Sequence, residues 1–214
     1  MSARSALSGV ALLGVLALGG CATSPGSQAP ASSDAPAGQS LGSLMPGPPE
    51  GEVIGTGTVM DVAGVVELCL GPVAESYPPQ CTGIPLENWS WEGVDDAEQV
   101  DEVRWGSYAL TGTYDGDSFA ITQSPIPLAL YDPAPVEDPT GGEPGSAEDA
   151  ELQRVQDEIG TRFGPRSEVF LSSYPENGYV WVEVVWDDGT LQQAADDDFG
   201  AGVVVIRSAL REAG

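Results

Sequence analysis

Near its start the chain carries a short apolar run, Ala6 to Leu18, that is too short to cross a membrane as a permanent helix. As a helix, its thirteen residues would span about 20 Å, less than the ~30 Å hydrocarbon core of a bilayer. Arg4 precedes the run and small residues follow it, which is typical of a signal peptide that is removed after export. We therefore expect residues 1–20 to be cleaved, and the rest of the chain to fold in an oxidising compartment.

The residues that end this run, Leu18-Gly19-Gly20-Cys21, resemble the lipobox of bacterial lipoprotein precursors. In that family the signal peptide is cut before the cysteine, which then receives a diacylglycerol and a fatty acid such as palmitate. The resemblance implies that Cys21 is lipidated and holds the mature chain on the extracytoplasmic face of the cell membrane, since two acyl chains give lasting attachment. An ordinary signal peptide and an uncleaved anchor are the alternatives.

Residues 21–51 are expected to form a tether between this anchor and the folded part. The stretch from Ala22 to Pro49 is rich in Ala, Ser, Gly, Pro and Gln, and Asp34 is its only charged residue. Such a segment has little apolar surface to bury and should stay disordered, with a mean reach of about 30 Å.

The chain is strongly acidic, with 33 Asp and Glu, seven basic residues and a formal net charge of −26. This charge repels nucleic-acid phosphates, so we expect no nucleic-acid partner. It also repels anionic headgroups, so the membrane should be contacted only through the lipid. Basic proteins, cations and neutral glycans remain as partners, although solubility alone would explain the charge.

Neither histidine nor lysine is present, and this excludes much of enzyme chemistry. No Ser-His pair, imidazole metal ligand, Schiff base or P-loop lysine can form. We therefore favour a non-catalytic binding or assembly role at the cell envelope, and we assign no cofactor, catalytic residue or metal ligand. Because carboxylate pairs can still form, the alternative is a carboxylate-dependent hydrolase acting on glycans.

Two cysteines, Cys69 and Cys81, remain once Cys21 is assigned to the lipid. In an oxidising compartment they are expected to pair. Closing a loop of about a dozen residues would stabilise the fold by roughly 3 kcal/mol. Two free buried thiols are the alternative.

Residues 132–145 carry four prolines and no hydrophobic periodicity, and we interpret them as a linker between segments 52–131 and 146–214. The first segment is predicted to be a small all-β barrel whose strand order is similar to an OB-fold, with a small sandwich as the alternative. The β-branched runs that predict its strands lie at 53–61, 65–71, 86–91, 105–114 and 118–123, the last two joined at Asp115-Gly116.

The second segment is predicted to fold as α-β-β-α-β, with both helices on one face of a sheet, so the overall class is α+β. Ser146 is expected to cap a first helix that ends at Gly164-Pro165. Its apolar stripe, at steps of three and four, is Leu152, Val155, Ile159 and Phe163. Strands are predicted at 169–173, 179–186 and 203–207, and a second helix at 190–199.

The arrangement as a whole resembles the uncharacterised cell-envelope lipoproteins that are common in actinobacteria. Besides the lipobox, the resemblance rests on the stretches 68–81, 105–116 and 188–210. It implies location and architecture, and no activity follows from it.

Trp89, Trp91 and Glu87 form the candidate ligand platform. On a predicted strand the two tryptophans share a face, where they could stack a sugar ring while Glu87 accepts a hydrogen bond. The interpretation we favour is that they fill the core of the barrel. Trp181 and Trp186 are expected to face opposite sides of a later strand, one in the core and one partly exposed.

Two acidic clusters are further candidates. The acidic loop 95–102 could hold a hard cation through carboxylate oxygens, but it lacks the glycine and spacing of an EF-hand, which favours a solvated loop. Residues 196–198 lie near a helix C-terminus, where the helix dipole disfavours anions. We therefore expect a cation, or Arg162, Arg166 or Arg207, to offset them.

Overall fold

The computed structural model of the chain describes residues 40–164 and 168–214, all within one compact unit that spans 34–214. Residues 1–20, Cys21, the first part of the tether and Arg166 lie outside the described residues, so what was predicted for them stays a prediction. The fold is α+β, as expected. Its strands are β1 (Val53–Val62), β2 (Val65–Cys69), β3 (Ile84–Glu87), β4 (Glu98–Val100), β5 (Val103–Tyr114), β6 (Phe119–Ile121), β7 (Ile126–Pro127), β8 (Phe170–Glu176), β9 (Tyr179–Val184), β10 (Val204–Ser208) and β11 (Arg211–Glu212), and its helices are α1 (Asp149–Phe163) and α2 (Thr190–Phe199).

Five strands close into a β-barrel. Their order is β1-β2-β3-β6-β5, and β5 pairs back with β1 along the whole of β1. Neighbours in the barrel are antiparallel except β3 and β6, which are parallel. Closure leaves these strands without long free edges.

A glycine allows β1 to lie close to β2. A Cβ on Gly57 of β1 would lie 2.5 Å from the carbonyl oxygen of Cys69 on β2, so only glycine fits that approach. The side chains that alternate inward, among them Val59, Leu68 and Tyr108, are fully buried and fill the barrel.

The C-terminal residues complete the barrel rather than forming a separate layer. Strand β11 pairs antiparallel with the start of β1, and the N–H of Ala213 donates to the carbonyl of Glu52 at 2.9 Å. Leu210 and Val185 are buried in the barrel core although they lie beyond the predicted linker. The two segments therefore share buried surface, and the linker boundary at 132–145 stays a prediction.

The α-β-β-α-β order of the second segment is present. Strand β9 is central, antiparallel to β8 and parallel to β10, and α2 forms the crossover from β9 to β10. The predicted stripe of α1 is buried against Val180, Val182 and Val184 of β9, and Leu191, Ala194 and Ala195 of α2 join the same core. Both helices therefore cover one face of the sheet.

The capping of α1 differs from the prediction. Helix α1 begins after Glu148 with no side-chain cap, so the capping assigned to Ser146 was wrong. At α2 the carboxylate of Asp187 accepts the N–H groups of Leu191 at 2.8 Å and Gln192 at 3.2 Å. Asp187 therefore satisfies two of the N–H groups that the first turn of a helix leaves free.

The described end of the predicted tether is packed against the second segment. Leu41 is 1% exposed and belongs to the α1–α2 core. The carboxylate of Asp198 accepts the Leu41 N–H at 2.8 Å, and the Trp186 Nε1–H donates to the Gly47 carbonyl at 3.0 Å. A single buried leucine with backbone hydrogen bonds thus orders a stretch whose composition predicts disorder.

Candidate functional site

An apolar groove lies on the outer face of the barrel, beside the turn that joins β1 and β2. It encloses about 420 Å³. Most of its lining is apolar and consists of Met60, Val62, Val65, Pro78, Pro79 and Val103. The other lining residues are Glu67, Gln80 and Cys81. We call this surface the apolar groove.

The floor of the groove is made by outward-facing residues of three neighbouring strands. In the β1–β5 and β1–β2 ladders, Met60 is opposite both Trp105 and Glu67, and Val62 is opposite both Val103 and Val65. Because alternate residues of a strand point to one face, this set lies outside while Val59 and its neighbours point inward. The outer face of the barrel is therefore apolar where a solvated sheet would be polar.

The loop between β2 and β3, residues 70–83, forms the other wall of the groove. Cys69 and Cys81 form a disulfide with 6.2 Å between their Cα atoms, which confirms the predicted pairing. Within the loop the Ala74 N–H donates to the Gln80 carbonyl at 2.8 Å. The Tyr77 ring meets the Trp105 ring edge-on, with centroids 5.6 Å apart.

Three large apolar side chains are left exposed at this site. Val62 is 49% exposed, Val65 65% and Tyr77 73%. Below them Met60, Cys69 and Trp105 form a small buried cluster of their own, outside the barrel. Exposed apolar side chains beside a groove are typical of an interaction surface.

Acidic residues lie in and beside the apolar groove. Glu67 lines it, and the exposed carboxylates of Glu98, Asp101 and Glu102 lie on the β4–β5 hairpin beside it. The Ala63 N–H donates to the Glu102 carbonyl at 2.9 Å, so the tips of the β1–β2 and β4–β5 hairpins touch. These carboxylates make the potential beside the groove negative.

The predicted ligand platform has a different geometry from the expected one. Strand β3 ends at Glu87, and Asn88 has a φ of 62°, so Trp89 and Trp91 lie on an irregular segment and the predicted strand 86–91 was wrong beyond residue 87. Their rings meet edge-to-face at 4.9 Å rather than sharing a plane. Glu87 is exposed and accepts the Ser118 hydroxyl at 3.3 Å, near the β5–β6 turn.

Both tryptophans pack on the barrel core and close one of its ends. Trp89 lies 5.4 Å from the ring of Tyr108, and the Trp91 Nε1–H donates to Asp61 at 2.8 Å. The Arg104 guanidinium stacks over the Trp91 ring at 4.4 Å. The Tyr108 hydroxyl donates to the Asp95 carbonyl at 2.9 Å, and burial raises the pKa of Tyr108.

A second, more polar cleft of about 390 Å³ lies beside Trp89. Glu92 and Asp95 line it, and both come from the loop between β3 and β4. The Trp89 Nε1–H is buried and has no hydrogen-bond partner among the described residues.

Each of the two acidic clusters is paired with another part of the protein. Part of the predicted loop 95–102 is strand β4, paired with β5, so the expectation of an irregular loop was wrong there. At the end of α2, Asp198 pairs with Arg162, one of the three arginines expected to offset it. In residues 40–164 and 168–214, no three His, Cys, Asp or Glu side chains are grouped closely enough to hold a metal ion.

The apolar groove itself was not predicted. Its signal in the sequence is Val62-Ala63-Gly64-Val65, where valines flank a turn that is normally polar, followed by Pro78-Pro79 between the two cysteines. Neither feature shows that strand and loop face each other, because that depends on the disulfide and on the outward register of β1.

No protein-family model, curated protein or solved structure matches the chain. Among the described residues, no helix is both long and apolar enough to span a membrane.

Proposed function

We propose that the protein is a lipid-anchored, extracytoplasmic, non-catalytic binding protein whose barrel captures a basic polypeptide segment in the apolar groove. The observation that carries the proposal is the groove itself, with exposed Val62, Val65 and Tyr77 beside a disulfide-bonded loop. The lipobox supports the anchor, which would place this groove at the surface of the cell membrane.

The barrel is proposed to be OB-like. Five strands in a closed barrel, with β6 inserted between β3 and β5, support that description. In OB-folds ligands bind on the face of the second and third strands and on adjoining loops. The β2 residues that line the apolar groove, and the β1–β2 turn beside them, belong to the corresponding part of this barrel.

The occupant is proposed to be a segment that alternates apolar and cationic side chains. Its apolar side chains would cover Val62 and Val65, and its cations would meet Glu67 and the β4–β5 hairpin. A second copy of this chain fits less well, because each copy carries a net charge of −26.

A synthetic peptide of alternating leucine and arginine tests the groove, with the leucine–glutamate peptide as its charge control. The leucine–arginine peptide should bind, and Val62→Thr/Val65→Thr should weaken binding about tenfold, since two partly buried valines contribute roughly 1.4 kcal/mol. Ile126→Thr, at a site 43% exposed and outside the groove lining, is the matched control and should leave the affinity unchanged. Equal affinity for both peptides, or equal loss in both variants, would refute the proposed site.

The anchor is tested separately. Cys21→Ala should leave an uncleaved precursor or release the protein from the membrane fraction. A mature protein whose mass equals that of unmodified residues 21–214 would refute lipidation. This result would have no bearing on the proposed binding at the groove.

A further inference from the structure

A third cavity lies where residues 128–139 pass strand β10, at the edge of the three-stranded sheet, and it is distinct from the apolar groove and from the cleft beside Trp89. It encloses about 540 Å³. Leu128, Tyr131 and Val136 provide one wall, and Leu70 and Ile206 lie on other walls. Leu128 is 42% exposed and Val136 61%, so the apolar wall is open to a ligand. We call this space the linker cavity.

Two arginines line the linker cavity, Arg207 on β10 and Arg211 on β11. Arg211 is half-buried, and its Nη1–H donates to the Ala134 carbonyl at 3.2 Å. Within the described parts of the chain no carboxylate lies within 4 Å of its guanidinium. A guanidinium has five N–H donors in a planar fork, so Arg211 retains donors for a carboxylate.

Arg207 has more interaction partners than Arg211. Its guanidinium stacks over the Trp181 ring at 5.4 Å, and Nη2 lies 4.0 Å from the carboxylate of Glu183, which also lines the cavity. Glu137 is the other acidic residue in the lining. Arg207 is therefore largely balanced by its neighbours, and Arg211 is the group that an incoming anion would meet.

This arrangement is unusual in a chain with 33 acidic and seven basic residues. Arginines are scarce here, yet one without a carboxylate partner lies at an open apolar cavity. An apolar pocket with a few convergent polar groups is the common form of a small-molecule site.

We propose that the linker cavity binds a small amphiphile with a single carboxylate head. The carboxylate would accept a pair of N–H bonds from Arg211, and the apolar tail would lie against Leu128 and Val136. The ligand is proposed to be a free molecule rather than a bilayer lipid, because a net charge of −26 is repelled much more strongly by a surface of many anionic headgroups than by one carboxylate.

Titration calorimetry with decanoate and decanol on the mature protein tests this site. Decanoate should bind at least tenfold more tightly than decanol, because a hydrogen-bonded charge pair adds to the same apolar contact. Arg211→Gln should remove that difference and leave decanol binding unchanged. Arg154→Gln is the matched control, since Arg154 is exposed on α1 and pairs only with Glu151 and Glu158 among the described residues.

Val136→Ser tests the apolar wall and should weaken both ligands by a similar factor. Circular dichroism melting of each variant checks that the fold is retained. Equal affinity for decanoate and decanol, or a decanoate preference that survives Arg211→Gln, would overturn the proposal. Arg211-dependent binding to phosphatidylglycerol vesicles would overturn the assignment to a free amphiphile. None of these outcomes depends on the apolar groove.

Discussion

Removing the disulfide should destabilise the fold by an amount that the structure allows us to work out. The change is Cys69→Ala/Cys81→Ala, which leaves no unpaired thiol at either position. The bond links residues twelve apart, and the chain-entropy relation for such a loop gives about 3 kcal/mol. Cys69 is also 1% exposed, so losing its buried sulfur adds up to about 1 kcal/mol. For a folded part of this size, a loss of about 3–4 kcal/mol lowers Tm by roughly 6–15 °C.

Thermal melting followed by circular dichroism measures this loss. The β1–β5 ladder does not depend on the bond, so the double variant should still fold. The wild-type protein melted in a strong reductant is the control, and it should melt at or slightly above the variant because it loses the bond but keeps the Cys69 sulfur. Melting of the variant within about 2 °C of the oxidised wild type would refute the reasoning, as would alkylation of Cys69 and Cys81 in the unfolded, non-reduced protein.

Three further predictions address other contacts. Leu41→Ala should lower the free energy of unfolding by about 3 kcal/mol, whereas Met45→Ala, at a site 51% exposed, should change it by under about 0.5 kcal/mol. Urea denaturation measures both variants, and equal effects would contradict the packing of residues 40–51 against the helices. Asp187→Ala should cost about 1 kcal/mol in the same assay, because its carboxylate accepts two N–H groups at the start of α2, and an unchanged midpoint would argue against the cap. Burial, with the charges of nearby Asp117 and Asp115 adding to it, raises the pKa of Tyr114 to about 12, so the folded protein holds this proton more tightly than the unfolded chain. Stability should therefore fall as pH rises from about 10 to 12, and Tyr114→Phe should flatten that fall in melting curves taken across this range; an unchanged slope would count against the shift.

The elements that were predicted well are those that local chemistry determines. Asp115-Gly116 makes the β5–β6 turn, with Gly116 at a φ of 104°, because a tight hairpin needs positive φ there. The limits of α2 match the prediction at both ends. Gly200 stops that helix at a φ of 92°, which glycine tolerates and other residues rarely adopt.

The features that were missed depend on distant contacts. Trp89 and Trp91 alternate like strand residues, but the left-handed φ of Asn88 turns the chain so that both rings close the end of the barrel. Leu41 looks like part of a disordered tether, yet its buried contact with helices more than a hundred residues later outweighs the composition around it. No local pattern contains either contact.

The acidity of the chain and its exposed apolar groove are physically linked. An open patch containing Val62, Val65 and Tyr77 would ordinarily favour self-association. Here each approach of two copies brings together two molecules with a net charge of −26, and closure of the barrel leaves its five strands without long free edges. The same field would attract the basic segment that we propose as the partner, so repulsion between copies and selection of that partner would come from one distribution of charge. This is why an apolar surface can stay open on this protein, and why we expect its occupant to be cationic.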